Sequence, residues 1–151
     1  MGRRGTKLAL VLAVAAALLS VPVAQATPPT IVPAPGLDFT DTTSCGFDVD
    51  IHLTTNGETA KIFSDGRIIV TGPLAATFSA DDGKSVTLNI AGPATITGES
   101  VIGRGVGAGP TLLPNGQTTL AYNAGTVEIS GPAGVIIHGH MLLDICAALA
   151  S

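Results

Sequence analysis

The side chains of this sequence that could carry chemistry are its three histidines, the carboxylates beside them and its two cysteines. The stretch "GVIIHGHMLLDIC" sets His138 and His140 two residues apart, with Asp144 four residues beyond. The stretch "FDVDIHL" holds Asp50 and His52 at the same two-residue spacing. Imidazoles and carboxylates gathered within a few ångströms bind zinc or copper. If the strands carrying them close against each other, His52 lies opposite or diagonal to His138 or His140, with Asp50 beside them. Alternation along the strands puts these residues on an outer, polar face, without the surrounding groups that orient true ligands. The expectation is therefore a solvated face and no metal site. A Ser-His-Asp arrangement needs a nucleophile held beside the histidine. No serine falls on these strands, and no catalytic residue is assigned.

Other motifs fail on their own spacing. "GKS" at 83–85 has the end of a phosphate-binding loop, but Phe78 stands where the first glycine belongs and a strand-like run follows. "GESVIG" lacks the glycine a nucleophile elbow requires two residues after its serine, since Ile102 is there. "GRGVGAGP" at 103–110 has no flanking strand–helix unit and reads as a flexible loop near a barrel mouth. Asp81-Asp82 reads as a hairpin turn, without the oxygen spacing of a calcium loop. No cofactor is implied.

The first segment, "MGRRGTKLALVLAVAAALLSVPVAQATPP", has the three parts of an export signal: basic Arg3, Arg4 and Lys7, an apolar run from Leu8, and the small-residue site Ala24-Gln25-Ala26. Cleavage is predicted between Ala26 and Thr27. The apolar run falls short of the ~20 residues a membrane-spanning helix needs. The product is expected to be secreted, with no membrane span after cleavage. In that compartment the two cysteines, Cys45 and Cys146, are expected to form one disulfide.

Beyond residue 26 four cations, Lys61, Arg67, Lys84 and Arg104, face eleven acidic residues, a net charge of −7. Nucleic acid attracts basic patches and is excluded as a partner. Trp is absent and Tyr122 is the one tyrosine, which disfavours stacking on sugars.

Residues 27–44 are rich in proline and threonine and read as a flexible leader. Residues 45–151 form one domain. Phe47, Val49, Ile51 and Leu53 alternate with polar neighbours, as do Val86, Leu88 and Ile90, and "ATIT" and "TVEIS" repeat the pattern. Period-2 alternation marks strands with one buried face. Asn56-Gly57, Asp65-Gly66, Gly72-Pro73, Asp82-Gly83, Gly92-Pro93, Asn115-Gly116, Gly125 and Gly131-Pro132 punctuate them as turns. The fold class predicted is all-β: an antiparallel up-and-down meander of eight to ten strands closed into a barrel, with a β-sandwich as the alternative. Cys45 and Cys146 have opposite parities along their strands. Either a bulge shifts the register or Cys146 lies just past its strand.

"CGFDV" at 45–49 and "DICAAL" at 144–149, flanking a glycine-rich β-run behind an export signal, resemble a group of small secreted actinobacterial proteins that open with C-G-F and close with D-x-C. The resemblance implies the disulfide and an extracellular β-domain. The group has no assigned activity, so no catalytic residue carries over. The functional expectation is a non-enzymatic domain with an interaction or structural role at or beyond the cell surface, its partner a protein or cell-envelope component. The alternative is a carrier of a small apolar ligand inside the barrel.

Overall fold

The computed structural model describes residues 27–36 and 38–151. The expected export segment, and with it Ala26 of the cleavage site, lies outside the described residues. Among the described residues there are eleven strands: β1 (Thr30–Pro33), β2 (Phe39–Asp41), β3 (Val49–Asn56), β4 (Thr59–Ile62), β5 (Ile68–Thr71), β6 (Leu74–Ala80), β7 (Ser85–Asn89), β8 (Ala94–Thr97), β9 (Ser100–Leu112), β10 (Thr118–Ile129) and β11 (Gly134–Asp144). One short helix, α1 (Ile145–Ala150), follows them. The strands form a seven-stranded sheet in the order β1-β4-β5-β8-β9-β10-β11 and a four-stranded sheet in the order β2-β3-β6-β7. The all-β expectation holds. No helix among the described residues is long and apolar enough to cross a membrane.

The strands are pieces of longer arms. β1 continues into β2, β3 into β4, β5 into β6 and β7 into β8, and each of these arms passes from one sheet to the other. β9, β10 and β11 are arms in themselves. Neighbouring arms run antiparallel throughout, so the predicted up-and-down order is present. Its first arm lies in residues 27–44, expected to be a flexible leader. Within that segment β1 pairs with β4 and β2 pairs with β3.

A line of glycines lets the arms cross between layers. Gly105 pairs with Gly125, and Gly125 with Gly139, across three adjacent strands. The Val70–Ala94 and Ala94–Gly103 registers, carried two residues further, place Gly72 and Gly92 on the same line. Gly72, Gly105, Gly125 and Gly139 all have positive φ, a conformation glycine adopts at little steric cost. Neighbouring backbones also approach closely here. A Cβ on Gly125 would strike the His138 carbonyl, and one on Gly92 would strike those of Arg104 and Val106. Gly72-Pro73 and Gly92-Pro93 are thus creases inside arms, where the sequence suggested turns between strands. Asn56-Gly57 is also a crease, its Gly57 N–H donating to the Pro73 carbonyl at 2.9 Å.

The fold at this crease is sharp for the last three strands. Gly134 pairs with Ile129, and Ile129 with Val101 at the start of β9. Gly134 also bridges to Thr111 near the end of β9. In a straight strand, Val101 and Thr111 would be about 33 Å apart at ~3.3 Å per residue. One residue two strands away can reach both only if β9 doubles back.

The main core lies where the four-stranded sheet faces the far halves of β9–β11. Val49, Ile51, Ala76 and Phe78 from that sheet meet Leu120 of β10 and Ile145 and Leu149 of α1, all buried. The alternation read in "FDVDIHL" is correct here: Val49 and Ile51 are buried, while Asp50 and His52 are exposed.

The strands do not close into a barrel. β2 occupies the edge of β3 that closure needed, and β11 remains at the end of the other sheet. Cys45 and Cys146 are nonetheless joined, with Cα atoms 5.1 Å apart and a sequence separation of 101. Both explanations of the parity conflict apply. β11 bulges twice, leaving Ile137 and Leu142 without ladder partners, and Cys146 lies past the strand in α1.

Candidate functional site

The histidines do not meet. His52 is on β3 inside the four-stranded sheet, whereas His138 and His140 are exposed on β11 of the other sheet. The expected neighbourhood of His52 with His138 or His140 is overturned, because it depended on closure between the first and last strands. Among the described residues, no three His, Cys, Asp or Glu side chains gather to hold a metal ion. The partner of His52 is Asp38, whose Oδ2 lies 2.6 Å from Nδ1, and both side chains are exposed. The Leu53 N–H donates to Asp38 at 2.9 Å. That bond first, and the His52 bond second, hold the Asp38 carboxyl below its ordinary range. Sequence reasoning missed this pair because it treated the segment carrying Asp38 as a free leader.

Asp144 has a structural task. It caps α1, accepting from the Ala147 N–H at 3.0 Å, and it accepts from the Thr119 hydroxyl at 2.8 Å. A side-chain acceptor at this position satisfies an N–H that the first helical turn leaves free. Asp50 accepts from the Thr40 hydroxyl at 2.6 Å on the exposed face of its sheet.

The feature that stands apart from these surfaces is a cavity of about 190 Å³ along the crease. Val101, Val127 and Ile129 line it from one side of the crease and Gly107, Gly109 and Asn123 from the other, with Leu74 and Ile90 contributing apolar surface. "GRGVGAGP", expected to be a loop, is the middle of β9. Its alternating glycines are a strand face stripped of side chains, and that period of two was the available signal. Gly107 and Gly109 differ from the crease glycines. Neither has positive φ, and a Cβ on either would meet nothing within 4 Å. Backbone geometry and close packing therefore do not require glycine at these two positions. What their small size does is keep the cavity open.

One polar cluster is built into this wall. Asn123 is 4% exposed and Thr111 is 1% exposed. Asn123 pairs with Gly107 in the ladder, and paired residues share a face of the sheet. Its Nδ2 donates to Thr111 Oγ1 at 2.9 Å, and that hydroxyl donates to the Gly109 carbonyl at 3.1 Å. Asn123 Oδ1 has no hydrogen-bond partner among the described residues. Buried polar atoms are nearly always paired, because leaving one unpaired costs about 1–3 kcal/mol.

A second hollow, of about 260 Å³, lies between Phe47, Leu149 and the Asp81-Asp82 turn. Asp82 there already pairs with Lys84 at 2.9 Å, and among the described residues no side chain lining the hollow leaves a buried polar atom unpaired. The crease cavity is therefore the better candidate site. No family model, curated protein or solved structure matches this chain.

Proposed function

We propose that this chain is an exported, non-enzymatic domain that binds a small apolar molecule in its crease cavity. The observation that carries this reading is the pair Gly107 and Gly109, small where nothing in the backbone or its surroundings demands it. A sheet face gains by filling such positions with β-branched side chains. Two empty positions facing one cavity fit a wall kept clear for a ligand. An engineered apolar cavity of about 150 Å³ takes a benzene ring, so this one suits a molecule of similar or slightly larger size. The export-signal pattern read in residues 1–26 and the disulfide support a location outside the cytoplasm.

Phenol is a suitable probe. It should raise the melting temperature of the wild type in a dose-dependent way, since a ligand that binds only the native state stabilises it by mass action. Gly107→Val and Gly109→Val should melt no lower than wild type and lose the response to phenol. Lower stability in both variants, or an unchanged response, would overturn the reading.

An interaction role with a protein or cell-envelope component is the second reading, favoured by β11. This edge strand exposes Val135, Ile137, Met141 and Leu142. Beyond Gly134, which bridges to Thr111 of β9, its outer edge has no ladder partner among the described residues and is of the kind that accepts a partner strand. Intact-complex mass spectrometry of protein taken from its host separates the two readings by whether a small molecule or a second protein co-purifies.

A further inference from the structure

We infer that β11 pairs with the β11 of a second copy of this chain, antiparallel and centred on Gly139. The inference is independent of the cavity reading and names the partner of the β11 edge. The edge strands of the two sheets are β1, β2, β7 and β11. Open edges invite unwanted pairing, and proteins blunt them with proline, charge or short length. Pro28, Pro29, Pro33 and Pro35 cluster at β1, and β2 and β7 have three and five residues. β11 has eleven, and residues 135–143 contain no proline, lysine, arginine or carboxylate. Its edge is the long one left without these defences.

An incoming strand must bend where β11 bends. On the crease line each ladder pair is glycine against glycine, Gly105 with Gly125 and Gly125 with Gly139. A Cβ on Gly125 would lie 2.7 Å from the Gly139 Cα, and one on Gly139 would lie 2.7 Å from the Gly125 Cα. A strand continuing the crease past β11 therefore needs a glycine opposite Gly139. A second β11 supplies it, because antiparallel pairing about a two-fold axis sets Gly139 against the partner's Gly139 and extends both the crease and the up-and-down order. Val135, Ile137, Met141 and Leu142, all exposed in one copy, flank this centre and lose water on pairing. Both copies are acidic beyond residue 26, with four cations against eleven acidic residues, so an edge free of carboxylates is where they meet with least repulsion.

This register also places His138 opposite the partner's His140, twice over. Within one copy the ladder neighbours of His138 and His140 are Thr126 and Ala124, and beyond them stand Arg104 and Val106. The one charge along those rows is thus a cation, and no carboxylate offsets the imidazoles when they are protonated. Like charges directly opposite each other across strands are destabilising. The pairing is consequently sensitive to acid, which contact through the apolar side chains alone is not.

Sedimentation of the purified, disulfide-bonded protein tests this. The wild type should be a dimer at neutral pH, and its dissociation constant should rise by roughly tenfold at about pH 5. Ile137→Lys, which puts a charge on the edge at an exposed position, should be a folded monomer that still responds to phenol if the cavity reading is correct. His138→Cys mixed with His140→Cys should give an oxidised, cross-linked pair, and neither alone should, since directly opposite Cβ atoms are about 4.5–5.5 Å apart and diagonal ones about 7–8 Å. A wild type that stays monomeric at its highest soluble concentration would overturn the inference and leave the cavity reading untouched. A dimer unchanged by Ile137→Lys would overturn it as well. So would a dimer insensitive to acid, or either cysteine variant cross-linking alone as readily as the mixture.

Discussion

Asp41 organises more of the chain than any histidine does. Its carboxylate accepts from the Thr43 N–H at 2.8 Å, the Ser44 N–H at 2.9 Å and the Ser44 hydroxyl at 2.7 Å, and it is buried. These bonds shape the turn that delivers Cys45 to the disulfide. Burial alone would raise its pKa, but the bonds from Ser44 and Thr43 reverse this and hold it below the ordinary 3.8. A depressed carboxylate adds stability that is present above its unfolded value and is lost as pH falls through its folded value. Asp38 and Asp82 act in the same sense, and Glu58, raised by burial, acts in the opposite one. Asp41→Asn should cost about 1–3 kcal/mol at neutral pH. Its melting temperature should also fall less steeply than that of wild type below about pH 4. Parallel acid melting profiles of the two proteins would refute this.

Among elements, glycine plays three separable parts. In "FSDGR", "ADDGK" and "LPNGQ" it closes a hairpin. Gly66, Gly83 and Gly116 have positive φ, and Asp65, Asp82 and Asn115 each accept from the N–H two residues on at 3.0 Å. In the arms it forms the crease, and in the second half of β9 it leaves space. The crease and the cavity should respond in opposite ways to one added methyl group. Gly125→Ala meets the His138 carbonyl and the Gly139 backbone at a φ of +129°, so it should destabilise severely or prevent folding. Gly107→Ala has open space and ordinary β geometry, so it should be neutral or stabilising by about 0.4–1 kcal/mol. Urea melts of both variants check the contrast, and similar losses would show that crease and cavity glycines do not differ.

At the scale of the molecule, the disulfide does the work that barrel closure would have done. Cys45 follows the first arm and Cys146 follows the last, and those two arms share no ladder. Cross-linking residues that far apart removes about 4.7 kcal/mol of loop entropy from the unfolded chain, before any native strain. The double variant Cys45→Ala with Cys146→Ala should therefore lose about 2–5 kcal/mol. A denaturant midpoint within error of wild type would show that α1 docks without the staple. Loosening should begin at α1, because Ile145 and Leu149 complete the buried cluster from beyond the last strand.

Local chemistry was legible in the residues themselves. Period-2 alternation identified β3 and β7, the Asx-Gly pairs at 65–66, 82–83 and 115–116 identified hairpins, and two cysteines allowed one intramolecular pairing. These depend on neighbours a few positions away or on simple counting. The sheet division did not follow, because a glycine between two apolar runs looks the same whether the chain reverses there or bends and continues. Only the register across five strands distinguishes the two. The pairing of His52 with Asp38 and the approach of Gly134 to Thr111 likewise depend on which edges meet after folding. The cavity belongs to that level as well. Gly107, Gly109 and Asn123 are unremarkable in one dimension, and their shared wall exists because the crease doubles β9 back on itself.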